Sequence, residues 1–151
     1  MRKTSDSKPQ AAMRLLLVDD NRNGLLARKL VLEEQGYVVT DCCTPEDALQ
    51  EFITSAFDIV VTDYRMPHMN GVELIAELRK VKAEIPIVLI SGLVDVLGLN
   101  EANTGANDVI PKGSTEVPHM IRAVNKLAQK QTPKKPASSQ NAKRIRKASN
   151  S

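Results

Sequence analysis

The chain has 151 residues, of which 42% are hydrophobic and 26% are charged, and its formal net charge is +3. This length suits one domain with a real core, and the composition is that of an ordinary soluble globular protein. No apolar stretch approaches the roughly 18 residues of a membrane-spanning helix, and no signal-peptide segment follows the polar N-terminus. We therefore expect a cytoplasmic protein that does not associate with membranes.

The charges are divided unevenly along the chain. Residues 11–131 hold 17 acidic and 12 basic residues, whereas residues 132–151 hold six basic residues and no acidic one. That tail is rich in Ser, Pro, Asn and Ala, and it cannot bury enough apolar surface to offset the entropy of ordering. We predict a disordered segment at 1–12, one folded domain at 13–130 and a basic, disordered tail at 131–151.

Within the folded part, short apolar runs alternate with segments of helical periodicity. The runs have little polar alternation, which is typical of strands covered on both faces. The sequence predicts five strands, at 15–18, 38–42, 59–62, 87–90 and 109–110. A helix is predicted after each strand. The first has apolar pairs at 26–27 and 30–31, the second has pairs at 48–49 and 52–53, the third has apolar residues at 74, 75 and 78, the fourth lies within 94–103, and the last has an apolar stripe over 117–128.

Several helix boundaries carry their own signals. Thr44 precedes Pro45 with Asp47 three residues later, which is a typical helix start, and Gly36 is a typical helix stop. The segment 94–103 has no clear cap signal, and Gly98 interrupts it.

Strict alternation with short connections predicts an α/β fold: a doubly wound, five-stranded parallel sheet with five helices on its two faces. Sites in such folds lie outside the carboxyl ends of the strands. At those ends the sequence places Asp19 and Asp20 after the first strand, Asp63 after the third, Ser91 after the fourth and Lys112 after the fifth. Four strands therefore bring one polar cluster together.

The chemistry of this cluster follows from its charges. Two carboxylates about 5 Å apart repel by roughly 3 kcal/mol at an effective dielectric constant near 20, so three of them favour a bound cation. Mg²⁺ is the natural choice, because it takes oxygen ligands and combines carboxylates with phosphate. Lys112 and Ser91 suit phosphoryl oxygens as a mobile charge and a hydroxyl donor. With one carboxylate left as nucleophile, the set predicts phosphoryl transfer onto an aspartate.

The same segments resemble the receiver domain of two-component response regulators. The resemblance covers nearly all of residues 13–128. It depends on Val18-Asp19-Asp20, the segment 63–71 (Asp-Tyr-Arg-Met-Pro-His-Met-Asn-Gly), Ile90-Ser91-Gly92 and Pro111-Lys112. It implies the CheY-like, flavodoxin-like fold with strand order 2-1-3-4-5.

The resemblance also implies a role for each site residue. Asp63 would be the phosphoacceptor. Asp20 and Asp63 would bind Mg²⁺ together with the backbone carbonyl of Arg65, and Asp19 would act mainly through bound water. Ser91 and Lys112 would hold the phosphoryl oxygens. An acyl phosphate adds roughly two negative charges, which is enough to bias a switch.

The implied function is a phosphorylation-dependent signalling switch. A histidine kinase or phosphotransfer protein would supply the phosphoryl group, and an unidentified downstream protein would recognise the changed surface. Homodimerisation through the face of the fourth helix, fifth strand and last helix is one option. The protein would not be an enzyme beyond catalysing its own phosphorylation and dephosphorylation.

The sequence departs from the receiver pattern in three places. Receivers usually carry an aromatic residue on strand five, where this chain has Val109 and Ile110, so switching would take another route. Gly113 follows Lys112, where many receivers have proline. Arg65 and Leu93 lie two residues beyond the acceptor and the serine, where they can screen a phosphoryl group from water, and we expect slow hydrolysis.

Other functions fit the sequence less well. After residue 130 no helical apolar pattern follows, so we expect a stand-alone receiver. Nucleic-acid binding by the basic tail is not expected, because the tail has no aromatic residues to stack on bases. A degenerate receiver would act without phosphorylation, but the complete residue set argues against it. An Mg²⁺-dependent aspartyl phosphatase would carry its nucleophile on the first strand in an Asp-x-Asp pattern, which this chain lacks.

Overall fold

The structure is a computed structural model that describes residues 12–131. The predictions for the terminal segments fall outside this range, apart from the residues at its two ends. Within it, no helix combines the length and the apolar content needed to cross a membrane.

Five parallel strands form one sheet. They are β1 (Arg14–Val18), β2 (Val38–Cys42), β3 (Ile59–Asp63), β4 (Ile87–Ser91) and β5 (Asp108–Pro111). Their order is β2-β1-β3-β4-β5, which confirms the predicted doubly wound fold and strand order 2-1-3-4-5. The register pairs Val18 with Thr62 and Asp63 with Ile90, so the carboxyl ends of β1, β3 and β4 lie side by side.

Helices cover both faces of the sheet. They are α1 (Arg22–Glu34), α2 (Pro45–Thr54), α3 (Gly71–Val81), α4 (Val94–Leu97), α5 (Glu101–Thr104) and α6 (Glu116–Gln131). Side chains of α2 and α3 pack with Leu16, Val60 and Leu89 on one face, and side chains of α1 and α6 pack with Leu17 and Val61 on the other. Full burial of each such side chain contributes about 1.5–3 kcal/mol, which explains the uninterrupted apolar strands.

The predicted helix within 94–103 is two single-turn helices. Gly98 adopts a left-handed conformation (φ 62°) that ends α4, and Asn100 begins α5 by accepting a hydrogen bond from the Asn103 amide at 2.9 Å. The sequence therefore contains a helix stop and a new start where we expected one helix, and residues 12–131 form six helices instead of five.

The face of helix α1 that packs against the core differs from the one that the apolar pairs at 26–27 and 30–31 predicted. Leu25, Arg28 and Leu32 are buried, whereas Leu26 and Leu30 are 58% and 56% exposed. The buried residues are three and four positions apart, which is the spacing of one helix face. An arginine therefore lies in the middle of the buried stripe.

Candidate functional site

The carboxyl ends of β1 and β3 bring three carboxylates together. Asp19, Asp20 and Asp63 each offer an oxygen, and these oxygens lie within 4.8 Å of one another. Asp19 and Asp63 are 1% and 2% exposed, whereas Asp20 is exposed. Burial raises the pKa of Asp63, and the charge of Asp19 raises it further, while Lys112 and Arg28 act in the opposite direction. The sheet therefore concentrates negative charge where little water can screen it.

Asp63 faces Lys112 across the site. The Lys112 ammonium Nζ lies 2.9 Å from Asp63 Oδ1, and the lysine side chain is 39% exposed. The contact is an ion pair, and among residues 12–131 Lys112 is the only partner of this buried oxygen. A buried carboxylate whose one charged partner is a partly exposed lysine indicates a group that can bind a further ligand.

Ser91 closes the other side of the site. It is 2% exposed, and its Oγ accepts a hydrogen bond from the backbone N–H of Leu93 at 2.9 Å. A cavity of about 290 Å³ lies beside it. Its lining residues are Asp63, Arg65, Ser91, Gly92, Leu93 and Lys112. The structure thus places the predicted phosphoacceptor, serine and lysine around one space.

A second cavity, of about 440 Å³, lies over the three carboxylates. It is lined by Asp19, Asp20, Asn21, Asp63, Arg65, Met66, Pro67 and Lys112. Asp63, Arg65 and Lys112 border both cavities. Every residue that the sequence proposed for the site lines at least one of the two.

The two neighbouring aspartates differ in their partners. Asp19 Oδ1 accepts a hydrogen bond from the Asn21 amide at 3.0 Å, and Asp19 Oδ2 accepts one from Arg28 Nη1 at 2.6 Å. The Asp20 side chain makes no hydrogen bond or ion pair with any residue in 12–131. Asp20 is consequently free to bind a ligand, whereas both oxygens of Asp19 are engaged.

Arg28 is the residue that sequence reasoning missed. Its Nε also donates to Glu116 Oε2 at 2.8 Å, so one buried guanidinium joins two carboxylates. The signal that could have revealed it is a charged residue within the apolar stripe formed by Leu25 and Leu32. A buried arginine at such a position almost always has a carboxylate partner.

The donor set fits Mg²⁺. All three acidic groups supply hard oxygen ligands, Asp20 has no partner among residues 12–131, and the buried Asp63 is paired only with the partly exposed Lys112 there. Mg²⁺ prefers one or two carboxylates together with water and phosphate oxygens, and the open cavity above the carboxylates leaves room for those.

Comparison with known proteins identifies the domain. The family model described as "Response regulator receiver domain" matches residues 15–125. The chain belongs to the receiver domain family of response regulators. Receiver domains are regulatory phosphoacceptor domains, they bind Mg²⁺ at an acidic pocket, and they interact with histidine kinases or phosphotransfer proteins.

Individual relatives agree with the family. A probable transcriptional regulator, ycf27 of Cyanidium caldarium, is 37% identical over 101 residues, which are 65% of this chain and 39% of that protein. The Francisella response regulator 1452 receiver domain has a TM-score of 0.72 at 25% identity and covers 80% of this chain and 99% of its own. The Thermotoga maritima response regulator TrrA, in complex with Mg²⁺–BeF, has a TM-score of 0.68 at 29% identity. The match covers 76% of this chain and 98% of the TrrA chain.

These findings establish the general function of this receiver domain as phosphorylation-dependent signalling in a two-component system. The two alternatives, a degenerate receiver and an aspartyl phosphatase, are not favoured.

Proposed function

We propose that Asp63 is the phosphoacceptor of this receiver and that Mg²⁺ assists its phosphorylation. The observation that carries the proposal is the buried Asp63 carboxylate, which lies among three carboxylates whose oxygens are within 4.8 Å of one another and whose Oδ1 is 2.9 Å from the Lys112 ammonium. In the transfer, an Asp63 carboxylate oxygen forms a bond to phosphorus while the bond from phosphorus to the donor breaks. The domain catalyses this transfer, and the later hydrolysis, on itself.

The partners of the carboxylates support a division of labour at the metal. Asp20 and Asp63 would bind Mg²⁺ directly, together with the backbone carbonyl of Arg65. Asp19 would act through bound water, because Asn21 and Arg28 already engage both of its oxygens. When bound, Mg²⁺ neutralises the charge that collects between the carboxylates and the phosphoryl group.

Lys112 and Ser91 hold the phosphoryl oxygens. Lys112 supplies a positive charge from an exposed position, and Ser91 supplies a hydroxyl. When the Ser91 hydroxyl turns to the phosphoryl group, its bond with the Leu93 amide is released, and Leu93 directly precedes α4. This provides a route for the signal in a chain whose β5 carries Val109 and Ile110 instead of an aromatic residue.

The partners follow from the family. A histidine kinase or phosphotransfer protein supplies the phosphoryl group, and a protein still to be identified responds to it. The face of α4, α5, β5 and α6 is a candidate for homodimerisation. Because the chain spans 39% of the length of its transcriptional relative, that protein's output does not transfer to this chain.

Incubation of the full chain with acetyl phosphate and Mg²⁺ tests the proposal. Intact-mass spectrometry should show a gain of about 80 Da, one phosphoryl group, with Mg²⁺ and none after chelation with EDTA. No gain under conditions that label a control receiver would contradict the proposal and favour a degenerate receiver. Steady turnover of a phosphate ester by the purified chain would favour the phosphatase.

We expect Arg65→Asn to shorten the lifetime of the phosphorylated form several-fold, because Arg65 is exposed and borders the cavities on both sides of Asp63, where its side chain shields the phosphoryl group from water. The decay of the extra mass after removal of acetyl phosphate measures this lifetime. Arg122→Asn, which removes an exposed charge on α6, is the matched control and should leave the lifetime unchanged. An unaltered lifetime in Arg65→Asn would refute the shielding role.

A further inference from the structure

Arg28 is a buried charge whose role the phosphorylation site alone does not explain. Arg28 is 5% exposed. Its guanidinium donates through Nη1 to Asp19 Oδ2 at 2.6 Å and through Nε to Glu116 Oε2 at 2.8 Å. Burying an arginine is costly unless its partners are well placed, and here two carboxylates share it. Because the two carboxylates take different nitrogens of one planar group, each holds the guanidinium in place for the other.

The two partners of Arg28 belong to different parts of the site. Asp19 lies at the cavity over the carboxylates, at the end of β1. Glu116 begins α6, and its backbone N–H donates to the Gly113 carbonyl at 3.2 Å. The same segment contains Lys112, whose N–H donates to the Ser91 carbonyl at 3.0 Å. Arg28 therefore connects the carboxylates with the segment that carries the lysine.

We propose that Arg28 is a positioning residue that couples cation binding at the carboxylates to the conformation of residues 112–119. A cation that shares the negative charge of Asp19 weakens its ion pair with Arg28, and the guanidinium is then held more strongly by Glu116. The start of α6 thereby responds to the cation before any phosphoryl group arrives. This inference rests on the proposed Mg²⁺ site.

The coupling requires the guanidinium itself and not only its charge. Lysine keeps the positive charge, but its single ammonium nitrogen does not offer two separate donors in a rigid plane. Arg28→Lys should therefore preserve the net charge of the site while the connection to Glu116 is lost. Arg22, an exposed arginine at the start of the same helix, provides the matched control in Arg22→Lys.

NMR titration of the ¹⁵N-labelled full chain with MgCl₂ tests the coupling. In the wild type, the amide signals of Asp20, Val117 and His119 should shift together with one dissociation constant. In Arg28→Lys and in Glu116→Gln, the Asp20 signal should still shift while the response at Val117 and His119 is lost. Arg22→Lys should behave as the wild type. If the Arg28→Lys variant does not fold, Glu116→Gln still tests the coupling.

A double-mutant cycle on the Mg²⁺ dissociation constant separates the contact from general electrostatics. Each single substitution should change the constant between about 2-fold and 10-fold, and the double variant Arg28→Lys/Glu116→Gln should resemble Arg28→Lys alone. Additive effects would overturn the coupling. The coupling would also be overturned if, in the wild type, the amide signal of Asp20 shifted and that of Val117 did not. That outcome would leave the proposed cation site intact. If Asp20 itself does not shift, the proposed Mg²⁺ site fails as well.

Discussion

Asp63→Asn abolishes the Mg²⁺-dependent gain of a phosphoryl group, and the variant folds at least as stably as the wild type. The loss is expected because an amide cannot act as the nucleophile that a carboxylate provides. Stability is retained because Asp63 is 2% exposed beside the buried Asp19, and burial together with the neighbouring charge raises its pKa. A neutral amide of the same shape relieves that unfavourable charge. Intact mass and thermal unfolding measure the two effects.

Asp58→Asn is the matched control. Asp58 lies just before the other end of β3, where its Oδ2 accepts a hydrogen bond from the Arg14 amide at 2.7 Å, and asparagine retains an acceptor there. We expect this variant to gain the phosphoryl group like the wild type. A gain that persists in Asp63→Asn would place the acceptor elsewhere, and a loss in both variants would indicate a general defect in the fold.

Gly71→Ala should strongly destabilise the domain. Gly71 is the first residue of α3 and lies against the end of β3. A β-carbon there would be 2.5 Å from the Asp63 carbonyl oxygen, 2.7 Å from Leu89 Cδ1 and 2.9 Å from Tyr64 Cα. Two of these atoms belong to the backbone and cannot turn aside. Overpacking of this kind costs about 1–3 kcal/mol, sometimes more, and urea unfolding followed by circular dichroism would measure it.

Gly92→Ala shows whether the effect of Gly71→Ala is steric. A β-carbon at Gly92 would meet only Lys112 Cδ, at 4.0 Å, which is ordinary contact. We expect the free energy of unfolding of this variant to stay within about 0.5 kcal/mol of the wild type. If both variants lost the same stability, loss of glycine flexibility would explain the results better than the close approach of α3 to β3.

The strands were predictable because buried strands have a recognisable composition. β1, β3 and β4 are covered on both faces, so nearly every position is apolar, and the sequence shows short uninterrupted runs. The helices were harder. In α1 the apolar residues exceed what the core can accommodate, so periodicity pointed to Leu26 and Leu30, which the structure leaves exposed. Tertiary packing decided between adjacent stripes that the sequence does not distinguish.

The part of the site that lies at the ends of the strands was predictable from the topology of the sheet. In a doubly wound sheet the ends of the strands converge, so Asp19, Asp63 and Lys112 could be brought together without knowing any side-chain contact. Arg28 comes from the middle of a helix, and its contact with Glu116 joins residues 88 positions apart. Such a contact depends on how α1 and α6 sit on the same face of the sheet, which spacing alone does not give.

The division of the segment after β4 into α4 and α5 gives this side of the molecule little resistance to local unfolding. None of the four residues of α4 is buried, and α5 buries only Thr104. Single-turn helices have almost no stability of their own, because helix nucleation is unfavourable. The amides of 94–104 should therefore belong to the part of the domain that opens at the smallest free energy, well below the free energy of global unfolding. A change at Ser91, three residues before α4, reaches the region that is easiest to rearrange within residues 12–131.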